Sequence, residues 1–169
     1  MKRTTIAAAL ILAGCATAAT QTTATESAAE KSETDAMKHH GPHIVETVSN
    51  NDFAMTLEKL QTAIDSRNFK TFAVVDHAKG AASIDQDLRP TTLVIFGNPR
   101  GGTPLMLSAQ TLGIELPLKA LVYEKADGSV VIATTDIAHA LKEHGVTDKD
   151  ELKGRITGAL QAISNDAAN

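Results

Sequence analysis

Apolar positions along this chain follow two different periods. Phe53, Leu57, Leu60 and Ile64 recur at spacings of four, three and four. That spacing predicts an amphipathic helix, with Asn50 or Asn51 placed to cap it. Residues 44–48 alternate apolar and polar positions and predict a first strand. Residues 69–75, led by Phe69, predict a second. Residues 76–87, which include Gly80, read as a loop or short irregular segment. After Arg89-Pro90, residues 92–96 are apolar almost without a break, as in a central strand covered on at least one face.

Gly97-Asn98-Pro99-Arg100-Gly101-Gly102 then breaks the pattern. Thr103 is a good helix cap, Pro104 suits a first helical position, and Gly113 suits a stop. Residues 104–112 are therefore expected to form a short helix. Residues 118–123 and 130–134 read as two strands around an Asp127-Gly128 hairpin turn. Asp136 caps a short helix through Leu141 that stops at Gly145. Thr147 or Asp148 opens the last helix, whose buried stripe is Leu152, Ile156, Leu160 and Ile163; Asp148 and Glu151 have capping-box spacing. Adjacent strands joined by short turns predict a mainly antiparallel sheet with helices on one face. The expected fold is α+β, a single two-layer domain of β-α-β(4)-α type with a short helical insert.

The first 43 residues are of another kind. Met1-Lys2-Arg3 is a basic start, residues 6–13 are apolar, and Leu12-Ala13-Gly14-Cys15 follows. This looks like a bacterial lipoprotein signal with Cys15 as the lipidated residue. The apolar run is too short to span a bilayer. Residues 1–14 would be removed, and acyl chains on Cys15 would anchor the protein to a membrane. Residue 16 is Ala rather than Asp, which in such proteins favours the outer membrane, with the domain facing the periplasm. Residues 16–38 are rich in Thr, Ala, Ser and Glu and cannot offset their ordering entropy by burial. The expected division is signal peptide 1–14, lipidated cysteine and disordered tether 15–43, folded domain 44–164 and tail 165–169.

Composition narrows the function classes. Of 169 residues 43% are apolar but only 3% aromatic, so the core must be aliphatic. Net charge is −4, and loss of Lys2 and Arg3 leaves 14 basic against 20 acidic residues. Few aromatics and an acidic balance exclude nucleic acid as a partner. Cys15 is the single cysteine, so no disulfide forms within one chain.

A second kind of information lies in Asp76-His77, Gly80-Ala81, Leu88-Arg89-Pro90-Thr91-Thr92, Phe96-Gly97-Asn98-Pro99, Gly102-Thr103-Pro104-Leu105-Met106 and Leu116-Pro117-Leu118-Lys119. With the Phe53–Leu60 helix face, these residues resemble the bacterial family called domain of unknown function 302, from about Val48 to Gly145. The resemblance implies a sheet-and-helix fold of a type compared with the half-repeat of the TATA-binding protein. It implies no activity and no DNA binding.

Four groups carry candidate chemistry. Gly97, Asn98, Arg100, Gly101, Gly102 and Thr103 bring main-chain amides, a helix start and one cation together, which suits a small anion or polar ligand. The plainer account is a tight turn that caps a helix; the Lys-Ser/Thr ending of a phosphate-binding loop is absent. His77, beside Asp76, is an acid/base candidate, or a structural histidine satisfying a loop. Arg89 and Lys119 could meet an anion or simply lie solvated. His39, His40 and His43 could form a weak metal site on the tether, without supporting partners. His139 and His144 read as surface residues.

The leading expectation is a lipid-anchored envelope protein, not an enzyme, whose domain binds a small ligand or a partner, with no cofactor. The rivals are an enzyme using His77, a metal- or redox-stress accessory protein using the histidine-rich tether, and a homodimerisation module. A shared concave site for His77 and residues 97–103 would favour ligand binding or catalysis.

Overall fold

The computed structural model describes residues 43–169. The expectations for Cys15, the tether, His39 and His40 lie outside the described residues.

Five strands form one antiparallel sheet. They are β1 (Ile44–Val48), β2 (Lys70–Asp76), β3 (Thr91–Gly97), β4 (Leu118–Glu124) and β5 (Val130–Thr135), in the order β1-β5-β4-β3-β2. Among the described residues the helices are α1 (Phe53–Ser66), α2 (His77–Ala82), α3 (Pro99–Ser108), α4 (Ile137–Glu143) and α5 (Asp150–Ala168), with a short 3-10 turn at Gln110–Ile114. The expected two-layer α+β domain is the fold observed.

Register decides which side chains meet the helices. Val94 pairs with Ala120, Phe96 with Leu118, and Val122 with Ile132, so these side chains share one face of the sheet. That face packs with Leu60 and Ile64 of α1, Leu141 of α4, and Ile156, Leu160 and Ile163 of α5 in one aliphatic core. Leu60 and Ile64 are fully buried, as the helical spacing requires. Asp127-Gly128 makes the β4–β5 turn, with Gly128 in the left-handed region at φ 82°.

Several boundaries differ from the sequence expectation, each for a local reason. Asp52, rather than Asn50 or Asn51, caps α1 by accepting from the Met55 amide. The expected loop after β2 contains α2, capped by Asp76 on the Lys79 amide. No residue of α2 is buried, so no apolar stripe announced it. α3 starts at Pro99 rather than Pro104. The chain offers two cap-proline pairs, Asn98-Pro99 and Thr103-Pro104, and the first is used: Asn98 Oδ1 accepts from the Arg100 amide. Gly101, Gly102 and Thr103 are thus helical, and Pro104 sits inside the helix. α3 ends at Ser108, so Gly113 lies in the 3-10 turn.

The last helix starts at Asp150, without a side-chain cap. The Asp148 carboxylate instead meets Lys149. α5 also runs past residue 164 to Ala168. Ala167 and Ala168 are buried, so residues 165–168 belong to the fold rather than to a tail.

Candidate functional site

Where β3 leaves the sheet, four chain segments surround a cavity of about 410 Å³. Phe69 comes from just before β2 and Phe72 from its start, and one continuous stretch gives Gly97 at the end of β3 and residues 98–103 with Met106 from α3 and its cap. Leu116, Pro117 and Leu118 come from the approach to β4, and Leu152, Arg155 and Ile156 from α5. The fully buried Phe96 holds Phe69 edge-on, with ring centroids 5.7 Å apart.

Asn98 joins two of these segments. Its Oδ1 accepts from the Arg100 amide at 2.9 Å, and its Nδ2 donates to the Asn68 carbonyl at 3.0 Å. Asn68 itself adopts φ 57°, a left-handed conformation that Asn tolerates. The start of α3 and the loop before β2 are therefore tied through one side chain.

The glycines set the width of the cavity. A Cβ at Gly97 would lie 3.3 Å from both the Phe72 ring and Pro117 Cβ, so only glycine admits that approach without displacement. A Cβ at Gly101 would stand 4.0 Å from Ile156 Cδ1, and one at Gly102 3.6 Å from Leu116 Cδ1. Those two positions accept a methyl at ordinary contact distance, but at the expense of cavity space.

The amides that suggested an anion cradle are engaged. Pro99 has none. The Arg100 amide donates to Asn98 Oδ1, and the Gly101 and Gly102 amides donate to the Asn98 carbonyl at 2.9 and 3.0 Å. What the walls offer instead is hydrocarbon. Among the lining residues, Leu118, Ile156 and Gly97 are buried, while Arg100, Thr103 and Arg155 are exposed. No Asp or Glu lines the cavity. Arg155 reaches Glu151 only at 4.0 Å, and Arg100 makes no ion pair among the described residues.

The other sequence candidates lie elsewhere. Lys70 of β2 faces Gly97, and Asp76 faces Thr92 at the far end of the same ladder. At about 3.4 Å per residue, His77 is roughly 17 Å from the cavity end. It is exposed and does not line the cavity. Arg89 is also exposed at that far end, its Nε donating to the Glu124 carbonyl at 3.0 Å. Lys119 pairs in register with Ile95 and donates to the Ile114 carbonyl at 3.4 Å.

His43 stacks on His139 with ring centroids 3.4 Å apart, and its carbonyl accepts from the Asp136 amide. His144 Nδ1 meets the Thr111 hydroxyl at 2.8 Å. Among the described residues, no group of three or more His, Cys, Asp or Glu is arranged to hold a metal. On the sheet face away from the core, the Tyr123 hydroxyl donates to Glu46, and Lys125 Nζ lies 3.4 Å from the same carboxylate. Burial, then the Glu46 contact, pushes the phenol well above its usual range and keeps it protonated. Sequence reading missed Phe69, Phe72, Met106, Leu116, Pro117, Leu118, Leu152, Arg155 and Ile156 as cavity residues.

Comparison with known proteins agrees with this architecture. A crystal structure of an uncharacterised conserved DUF302 protein from Bacillus stearothermophilus superposes with a TM-score of 0.69 at 16% identity, covering 75% of this chain and 99% of that one. At that identity the likeness concerns the fold. Proteins named fluoride-specific ion channel FluC 1 from Brucella suis and Brucella abortus are each 35% identical over 117 residues, 68% of this chain. A Brucella melitensis protein named fluoride-specific ion channel FluC 2 matches to the same extent. This chain spans less than half the length of these relatives, 46% of the first and 43% of the other two. A match of 117 residues extends well beyond the 42 that precede the described domain, so the shared region includes most of that domain. No helix among the described residues is long and apolar enough to cross a membrane. Residues 45–163 match the family described as "Domain of unknown function DUF302", and the chain belongs to that family.

Proposed function

We propose that this chain is a lipid-anchored protein of the bacterial cell envelope whose DUF302 domain binds a small, largely apolar ligand beside α3. The observation that carries this reading is the cavity itself. Its volume, about 410 Å³, lies in the range of small-molecule sites. Its buried walls are apolar, and two helical glycines keep it open although glycine weakens a helix.

A catalytic role for His77 has no geometric support, since that side chain stands at the opposite end of the β2–β3 ladder. The anion expected from the sequence shrinks to the charged end of a larger ligand, because the α3 amides are already bonded. The anchor rests on the Leu12–Cys15 signal alone, and Ala16 directs the reading to the outer membrane.

The fluoride of the relatives' names belongs to proteins more than twice as long as the matched segment. An apolar cavity is a poor site for a small, strongly hydrated anion.

Titration of the full chain with 1-anilinonaphthalene-8-sulfonate, an apolar body with one sulfonate, tests the proposal. Saturable one-to-one fluorescence enhancement is expected, unaffected by excess fluoride or phosphate. It is lost in Gly102→Leu, whose cooperative unfolding is checked in parallel. Enhancement that persists in a folded Gly102→Leu, or that never saturates, overturns the reading.

A further inference from the structure

The charged side chains of the cavity are all exposed and its buried lining is apolar, and that distribution specifies a ligand class. Gly97, Leu118 and Ile156 form its buried part, while its exposed lining combines Arg100, Thr103 and Arg155 with the apolar Phe72, Pro99 and Pro117. Asn98 is the only other lining side chain that carries nitrogen or oxygen, and its amide already makes one bond at each end within the protein. The buried part, Gly97, Leu118 and Ile156, therefore offers no side-chain donor or acceptor for a hydroxyl, a ring nitrogen or a sugar. A polar interior group would be desolvated without a partner, which disfavours it strongly.

The exposed part carries two guanidinium groups and no carboxylate, in a chain whose net charge is −4. Arg155 has one distant partner at 4.0 Å with its side chain 68% exposed, and Arg100 has no ion pair among the described residues. Guanidinium matches a carboxylate in a planar, two-bond geometry.

We infer that the occupant is a single-chain aliphatic carboxylate, hydrocarbon inward and carboxylate at the Arg100 and Arg155 end. The inference rests on the cavity reading and adds the identity of the ligand class. Six aliphatic side chains, Met106, Leu116, Pro117, Leu118, Leu152 and Ile156, line it together with the two phenylalanines. Met106 is unbranched and adapts to chains of different length.

Displacement of 1-anilinonaphthalene-8-sulfonate from the full chain measures this. Straight-chain carboxylates from hexanoate to dodecanoate are compared with the 1-alkanols of equal length, below their micelle concentrations. Each methylene that enters the cavity should tighten binding about fourfold, until the cavity is full. The carboxylate should bind about tenfold tighter than the alkanol, since two exposed charge contacts contribute modestly. In the Arg100→Gln/Arg155→Gln double variant that preference should vanish while the methylene dependence survives.

Equal binding of carboxylate and alkanol by the wild type, or an unchanged preference in the double variant, overturns the inference and leaves the cavity reading standing. Affinity independent of chain length does the same. Failure of the probe to bind the wild type at all overturns both.

Discussion

The β2–β3 ladder ends in two quite different ways. At one end, Lys70 and Gly97 lead into a cavity built from glycine, proline, phenylalanine and aliphatic residues. At the other, Asp76 and Thr92 lead into α2 and the loop that carries His77, Lys79 and Arg89. The second end holds the residues a chemist would choose first, yet α2 buries no side chain and His77 and Arg89 are exposed. The first end holds few reactive groups but encloses space. The proposed site therefore follows enclosure rather than the reactivity of side chains taken one at a time.

The largest test of that contrast is Phe96→Ala. Phe96 is fully buried behind Phe69, so its truncation should cost about 3–5 kcal/mol in urea unfolding. A loss below about 1 kcal/mol would mean that the cavity end collapses freely and is not a built enclosure. A smaller difference separates the two capping residues. Asn98→Ala should cost about 1 kcal/mol, because α3 packs Leu105 into the core and Asn98 also holds the Asn68 carbonyl. Asp76→Ala should stay below about 0.5 kcal/mol, since α2 can fray without exposing any core residue. Equal losses at the two caps would erase the distinction.

Gly101→Ala changes sign. Alanine is the better helix former, and its Cβ would meet Ile156 at a comfortable 4.0 Å. A gain of about 0.5 kcal/mol in unfolding is expected, together with weaker binding of the naphthalene sulfonate probe. A gain without any loss of binding would show that the glycine has no part in keeping the cavity open. The smallest effects belong to the far end. His77→Ala and Arg89→Ala should each alter stability by no more than about 0.5 kcal/mol and leave probe affinity unchanged. A marked fall in affinity for either would move the site across the sheet.

Much of the architecture was legible because it follows simple periods. The Phe53–Ile64 stripe, the Asp127-Gly128 turn and the Leu152–Ile163 stripe each appear in one short window and occur in the structure. Residues 97–103 were also legible as a place of interest, since glycine and proline rarely cluster without a conformational reason. Their helical state was not. Two neighbouring cap-proline pairs offer the same local start, and only the Asn98–Asn68 contact, which joins segments thirty residues apart, favours the first. α2 was hidden because a helix with no buried face leaves no hydrophobic period.

The cavity was hidden for a related reason. Its walls come from four separated segments that only the tertiary fold brings together. Arg155, one of its two cations, sits on a helix surface where any charged residue reads as solvated.

The position of β1 has a consequence for how the chain reaches this state. β1 touches no strand near it in sequence; Ile44 pairs with Thr135 and Val48 with Val131. Closing that separation of roughly ninety residues carries about 2 kcal/mol more chain entropy than closing the tight β4–β5 hairpin. Strands β2 to β5 can assemble largely among near neighbours, so β1 is the natural late arrival in folding and the first strand to detach. Its attachments include the ladder to β5, the Glu46 contacts with Tyr123 and Lys125, the Asp136 amide on the His43 carbonyl, and the Ser49 amide on the Val130 carbonyl. Just beyond it, the Asn50 amide donates to the Ala168 carbonyl near the end of α5. Such a strand behaves as a clasp, and amide exchange along residues 44–48 would report its opening well before the rest of the sheet yields.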